Sequence, residues 1–230
     1  MACPVKTFVF FDLEATGLSQ DLPKVTEICL VAVHISSLEN PVTDEAGNVQ
    51  LPRVLDKLCL CVDPRKTIME KASSITGLSN KNLDDCEKRP FDLNIIQLIK
   101  EFVNRQSQPV CLVAHNGIFY DFPLLKAEFQ QQRDDLPTHV LCLDSLKAFR
   151  TLDRQDGLNE NGRGPHTLSA IYRRYFNKEP VDSHYAEGDV LTLVLVFMSK
   201  ACKLLELANT QFIKWGDVKP MYVVPFLDSD

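Results

Sequence analysis

The sequence predicts an α/β fold, a mixed five-stranded sheet with helices on its faces. The first observation is three extended, largely apolar segments ahead of any long helix, starting near Phe8, Thr26 and Val54. The second is a change to alternating strand and helix patterns, with two further strands predicted at 109–115 and 140–143. A chain of 230 residues suits one domain with a substantial core, so we expect residues 1–230 to form a single domain.

Turn signals separate the three leading segments and predict that they pair as an antiparallel meander. Asp21 and Pro23 suit a turn between the first two strands. Residues 36–52 are hydrophilic and contain Asn-Pro and Gly-Asn pairs, so we expect a surface loop before the third strand at 54–62. Pro64 then ends that strand.

Helical spacing begins after the meander. Short helices are expected at 72–75 and at 80–86, and Ser79 can cap the second of them. A longer helix is expected at about 92–105, with five apolar residues on one face: Ile95, Ile96, Ile99, Phe102 and Val103.

Strand and helix patterns alternate through the rest of the chain. A helix with a proline near its first turn is expected from Asp121 to about residue 133, and Asp144 can cap another helix to residue 150. Residues 151–165 are polar and predict a loop. Two helices are then expected, at 167–176 and 187–208.

Composition limits the class of protein. The formal charge is −6 and the pI is near 5.4, so the field of the whole molecule does not attract polyanions and any nucleic-acid contact must be local. Eight cysteines form no C-x-x-C pair of the kind that binds zinc, and we expect them to be reduced core residues. With no secretory signal and no apolar run long enough to span a bilayer, the predicted location is the nucleus or the cytoplasm.

Two carboxylates follow the first strand. Asp12 and Glu14 are separated by one leucine, and side chains two residues apart on a strand point to the same face. Converging carboxylates repel one another unless a cation lies between them, and oxygen ligands suit Mg²⁺ or Mn²⁺. An isolated Asp-x-Glu also fits an acidic strand end in solvent, so further acidic residues are needed for a metal site.

Further acidic residues occur at two predicted helix starts. Asp121 follows the strand at 109–115, and Asp189 lies five residues after His184. Each acid alone fits a helix N-terminus, which favours negative charge. Together with Asp12 and Glu14 they form a pattern of four carboxylates and one imidazole.

That pattern resembles the three motifs of the DEDDh 3′→5′ exonucleases. The surrounding sequence is similar to the TREX family of three-prime repair DNA exonucleases in four stretches: FFDLEATGL at 10–18, ITGLS at 75–79, AHNG with YDFPLL within 114–125, and AEGDV at 186–190. The likeness covers nearly all of the chain, from Phe8 to Tyr222. It resembles the shorter form, without the membrane tail and the proline-rich insert that some members carry.

The resemblance implies an RNase H-like fold and a role for each motif residue. Asp12, Glu14 and Asp189 would hold one Mg²⁺, Asp12 would also touch a second, and Asp121 would support that second ion through water. Mn²⁺ is expected to substitute for Mg²⁺. His184 would take the proton from the attacking water. Tyr185 lies four residues before Asp189, the spacing of the related DEDDy enzymes, and spacing alone leaves both assignments open.

The resemblance also implies a substrate and an assembly. The substrate would be the 3′ end of single-stranded or frayed double-stranded DNA, in DNA repair or DNA degradation. Seven residues are expected to contact it: Glu14, Ala15, Leu18, Ile75, Tyr120, Arg163 and His184. At 164–166 this chain has Gly-Pro-His where the family typically has Lys-Ser-Tyr, so we expect fewer phosphate contacts from this loop and DNA binding that is less sensitive to salt. A homodimer is expected through the edge strand from Arg53 to Val62.

Two alternative functions remain open at this point. One is a catalytically silent nucleic-acid-binding or scaffold protein with the same fold, although every catalytic position is retained. The other is an exonuclease that prefers RNA, since recognition of a 2′-hydroxyl depends on geometry.

Overall fold

A computed structural model describes residues 3–157 and 165–223. In these two ranges one open sheet has the strand order β3-β2-β1-β4-β5-β6. The strands are β1 Thr7–Ala15, β2 Val25–His34, β3 Asp56–Cys61, β4 Val110–Ala114, β5 Leu141–Asp144 and β6 Ile213–Lys214. The predicted antiparallel meander is confirmed, and β4 and β5 continue the sheet parallel to β1.

The predicted strand number, five, is wrong by one. The sixth strand, β6, has two residues and pairs antiparallel with β5. Two residues are too short to give an alternating pattern, and Trp215 directly after them is fully buried, so packing rather than local sequence fixes this strand.

Nine α-helices are present in the described ranges: α1 Ile35–Glu39, α2 Glu70–Thr76, α3 Asn80–Asp85, α4 Leu93–Asn104, α5 Asp121–Gln131, α6 Ser145–Gln155, α7 Leu168–Phe176, α8 Ala186–Met198 and α9 Ala201–Gln211. The predicted caps form at Ser79 and Asp144, and the structure adds two further caps, at Asp92 and Thr167. These side chains accept hydrogen bonds from the backbone N–H groups that a first helical turn leaves unpaired.

Three helix predictions need correction. Helix α1 lies in the expected surface loop, and its five residues are too few to show a period. Helix α6 continues to Gln155 into the predicted loop at 151–165, because Leu152 is buried against the core; residues 158–164 of that loop lie outside the described ranges. The single helix expected at 187–208 is divided into α8 and α9, since Lys200 leaves the helical conformation (φ −130°, ψ 20°).

The two faces of the sheet carry separate core layers. Val9, Phe11 and Leu13 of β1 face the layer that contains α4 and α5. Phe8 and Phe10 face the layer that contains α8, where both rings contact Phe197. Because side chains alternate along a strand, Asp12 and Glu14 point to the same face as Phe8 and Phe10, the face that α8 covers.

The cysteines divide by environment. Cys29, Cys111 and Cys142 are buried, as expected, but Cys59, Cys86 and Cys202 are exposed, which corrects the prediction that all are core residues. Cys59 is exposed because β3 is the edge of the sheet. No helix in the described ranges combines the length and apolar character that a membrane span requires.

Candidate active site

The carboxyl end of β1 and the first turn of α8 bring three carboxylates together. Asp12, Glu14 and Asp189 each offer an oxygen, and these oxygens lie within 4.8 Å of one another. The strand positions the first two because β1 is held between β2 and β4, and the helix brings the third from 175 residues further along the chain. This grouping agrees with the arrangement inferred from the motifs.

The start of α8 is fixed to the sheet by a residue that the motif search missed. The Glu27 carboxylate on β2 accepts a hydrogen bond from the backbone N–H of Ala186, at 2.9 Å. Glu27 is the register partner of Glu14 on β1, so it lies beside the site. In the sequence, Glu27 lies two residues before the buried Cys29, which indicates that both side chains point to the α8 face of the sheet. Only the strand register shows that Glu27 lies opposite Glu14.

His184 lies on the segment that precedes α8. Its backbone N–H donates to Asp189 Oδ2 at 2.9 Å, its side chain is exposed, and its φ is +68°. Asp182 also has a positive φ, +53°. Such values are uncommon for residues other than glycine. The segment keeps this shape because Gly188 lies directly under it, where an added Cβ would be 2.1 Å from the Asp182 carbonyl oxygen.

Tyr185, the alternative to His184, is the N-terminal flanking residue of α8, and its side chain is 52% exposed. Burial raises the pKa of the Asp189 carboxyl, and the hydrogen bond from the His184 backbone N–H, followed by the His184 charge, acts against that shift. The backbone hydrogen bond places His184 next to this candidate metal ligand. Which of the two acts in catalysis stays a prediction.

Asp121 is the first residue of α5 and is 4% exposed. It is outside the three-oxygen group, but its charge, after burial, is the largest influence that raises the pKa of Asp12. The loop that leads to it is fixed by Asp144, which accepts from the backbone N–H groups of Asn116 (3.2 Å) and Ile118 (3.1 Å). Asp144 was predicted only as a helix cap, which it also is.

The site concentrates negative charge in a poorly solvated place. Burial raises the pKa of Glu14 to about 8, and the charges of three neighbouring carboxylates, Asp189, Glu27 and Asp121, contribute less to the same shift. Burial also raises the pKa of Asp121 to about 7 and raises the pKa values of Asp12 and Asp189. Desolvation and like charge both favour the protonated acid.

These carboxylates fit a divalent metal. A cation among Asp12, Glu14 and Asp189 would offset the like-charge repulsion that, after burial, raises the pKa values of Asp12 and Glu14, and hard oxygen donors match Mg²⁺ and Mn²⁺. Asp121 would extend the set toward a second ion beside Asp12.

An apolar cleft of about 330 Å³ adjoins the acidic group. Its lining includes five of the predicted substrate-contact residues: Glu14, Ala15, Leu18, Ile75 and Tyr120. Leu18 and Ile75 are 57% and 44% exposed, which core packing does not explain, and the Tyr120 hydroxyl donates to the Gly17 carbonyl at 2.6 Å. His184 lies beside Asp189, outside this lining, and Arg163 is outside the described residues.

A mixed sheet that carries a carboxylate cluster at the end of its central strand is the arrangement of a metal-dependent nuclease. The family model described as Exonuclease (RNase_T) matches residues 9–197. Among solved structures, cell-death related nuclease 4 aligns with a TM-score of 0.64 at 15% identity, covering 87% of this chain and 65% of that one. The nuclease domain of 3′hExo, a DEDDh family member bound to rAMP, aligns with a TM-score of 0.64 at 11% identity, covering 88% and 94%. These identities support the fold alone.

Sequence relatives define the family more closely. Human three prime repair exonuclease 2 is 49% identical over 222 residues, covering 96% of this chain and 94% of that protein. Human three-prime repair exonuclease 1 is 43% identical over 226 residues, covering 96% and 72%. The chain therefore belongs to the three-prime repair exonuclease family, and the predicted family, fold class and 3′→5′ exonuclease activity are confirmed.

Proposed function

We propose that this protein hydrolyses DNA one nucleotide at a time from the 3′ end, using two Mg²⁺ ions. The observation that carries the proposal is the juxtaposition of the Asp12, Glu14 and Asp189 carboxylates with an apolar cleft to which Glu14 itself belongs. A terminal base in that cleft brings the last phosphodiester to the carboxylates.

Each residue of the site has its own role in the proposed hydrolysis. Asp12, Glu14 and Asp189 hold one ion, and Asp121 with Asp12 serves the other. A bound metal pair supplies charge stabilisation for the attacking and leaving oxygens of an in-line displacement. The His184 imidazole, on the segment held by Gly188, accepts the proton of the attacking water, a task that suits an imidazole near neutral pH.

The cleft supports a single-stranded, sequence-tolerant substrate. Leu18, Ile75 and Tyr120 present apolar surface, and every base has a face that such surface can contact. Ala15, the last residue of β1, also lines the cleft. In a chain with a net charge of −6, these local contacts rather than the whole-molecule field would hold the strand.

Matched oligonucleotides test the proposal. A 5′-labelled single-stranded DNA should shorten stepwise in Mg²⁺, stay intact with a chelator, and stay intact with an Asp12→Asn variant. Faster loss of the RNA of identical sequence would favour the RNA-preferring alternative. Binding without any shortening would favour the silent binding protein, which the retention of all five catalytic residues argues against.

The assembly and the location are parts of the same proposal. The edge strand from Arg53 to Val62 would pair with a second copy, because β3 leaves a row of backbone groups unpaired at the border of the sheet. A solution mass of one chain by light scattering would contradict the homodimer. All eight cysteines are free, which suits the nucleus or the cytoplasm, where a role in DNA repair or DNA degradation would be carried out.

A further inference from the structure

Two cysteines lie in one row across the sheet with the metal ligand Asp12. The strand register pairs Asp12 of β1 with Cys29 of β2, and Cys29 in turn with Cys59 of β3. Directly opposed residues on antiparallel strands point to the same face. The two thiols therefore face each other on the α8 side of the sheet.

The distance between opposed strand positions suits a covalent link. Directly opposed residues of an antiparallel pair have Cα atoms about 4.5 to 5.5 Å apart. Disulfides bridge Cα atoms about 4.4 to 6.8 Å apart. Cys29 and Cys59 can therefore be joined without moving either strand out of the sheet.

The two thiols differ in the way that a reactive cysteine and its resolving partner differ. Cys59 is exposed at the sheet edge, and Cys29 is fully buried against the α8 layer. A hydrogen bond from the Cys29 thiol, the largest influence, lowers the pKa of the Cys59 thiol. Partial burial, Glu187 and Glu27 oppose this shift, and Lys57 on the same strand adds to it. The thiolate, not the thiol, is the nucleophile that attacks a peroxide.

We propose that Cys29 and Cys59 form a reversible oxidation site for peroxides. The Cys59 thiolate attacks one peroxide oxygen, the O–O bond breaks, and the protonated leaving oxygen departs as water, which leaves a sulfenic acid on Cys59. The Cys29 sulfur then attacks that sulfur, the S–O bond breaks, and a second water carries away the hydroxyl and the Cys29 proton. Two thiols are oxidised to one disulfide, and one hydrogen peroxide is reduced to two waters.

The cross-link would fasten the edge strand to its neighbour. Within the described chain β3 is bound by β2 alone, and its other side is the edge that the proposed homodimer would use. The Cys29–Cys59 bond would lie on the α8 face of the sheet and join β2 and β3 at the centre of their pairing. It lies one strand away from Asp12. The site is independent of the proposed reaction on DNA, because it requires no substrate and no metal.

Peptide mapping of the full-length protein tests the site. Reduced protein is treated with hydrogen peroxide, its remaining thiols are alkylated, and the digest is analysed by mass spectrometry with and without dithiothreitol. We expect one linked pair of peptides, containing Cys29 and Cys59, that dithiothreitol separates. Cys59→Ser should abolish it, whereas Cys202→Ser, which changes an exposed thiol on α9, should leave its yield unchanged.

A second variant separates the two steps. Cys29→Ser should stop the reaction at a Cys59 sulfenic acid, which dimedone labels in that variant and much less in the wild type. Full alkylation of Cys29 after peroxide treatment of the wild type would overturn the proposal. A Cys59 link between two copies in place of the internal bond would overturn it as well.

Discussion

Replacing Gly188 by alanine tests whether the segment that carries His184 is positioned by its contact with α8. A Cβ at residue 188 would lie 2.1 Å from the Asp182 carbonyl oxygen and 2.8 Å from its carbon. Both atoms belong to the backbone, so no side-chain rotation relieves the overlap. The segment must move away from the helix by about 1.3 Å before ordinary van der Waals separation is reached.

The expected effect is on the rate of the chemical step. A displacement of about 1 Å can lower the rate roughly 100-fold, or about 2.7 kcal/mol in activation free energy. Since Asp12 and Glu14 lie on β1, metal binding should change little. Alanine is favoured over glycine in a helix by about 1 kcal/mol, so loss of activity should not come from loss of α8.

Steady-state kinetics on a single-stranded DNA oligonucleotide in Mg²⁺ measure this effect, with circular dichroism as the check on folding. We expect Gly188→Ala to lower kcat about 100-fold with a small change in KM. Glu187→Ala is the matched control: it alters the neighbouring residue and removes only an exposed ion pair with Lys57. A folded Gly188→Ala protein with the activity of the wild type would refute the positioning argument.

Three other predictions address His184, the start of α8 and the charge of the site. His184→Ala should lower kcat by about 100-fold or more while metal binding, measured calorimetrically, persists, and Tyr185→Phe should have little effect; loss in the tyrosine variant alone would reverse the assignment. Glu27→Ala leaves the Ala186 N–H unpaired and should lower the free energy of unfolding by about 1 to 3 kcal/mol, seen as a lower Tm. Glu27→Gln keeps a hydrogen-bond acceptor, so its free energy of unfolding should fall by less. Because the pKa of Glu14 is raised from 4.5 to about 8, the metal-free folded protein holds this proton more tightly than the unfolded chain, and it loses stability as the pH rises through that range. The increase in Tm on adding Mg²⁺ should therefore be larger at pH 8 than at pH 6. An equal increase at the two pH values would contradict this.

The sequence predicted the parts of the site that depend on local pattern. Asp12 and Glu14 alternate at the end of an apolar strand, and Asp121 and Asp189 begin helices, so strand and helix periods were enough to place them. The meander and the strand from 54 to 62 at its edge followed from turn signals in the same way.

The parts that were missed depend on contacts between distant segments. Glu27 faces Glu14 only in the register that β1 and β2 adopt, and nothing in its neighbours along the chain indicates that register. Glycine is required at position 188 because the backbone of Asp182 lies directly against the first turn of α8. The break at Lys200 divides a continuous apolar pattern, and it lets α9 pack on α6.

Anomalous scattering from crystals grown with Mn²⁺ tests the central claim directly. A peak is expected at about 2.0 to 2.2 Å from oxygens of Asp12, Glu14 and Asp189, and it should disappear in crystals of Asp189→Asn. Manganese bound elsewhere on the molecule, with these three carboxylates free of it, would contradict the account.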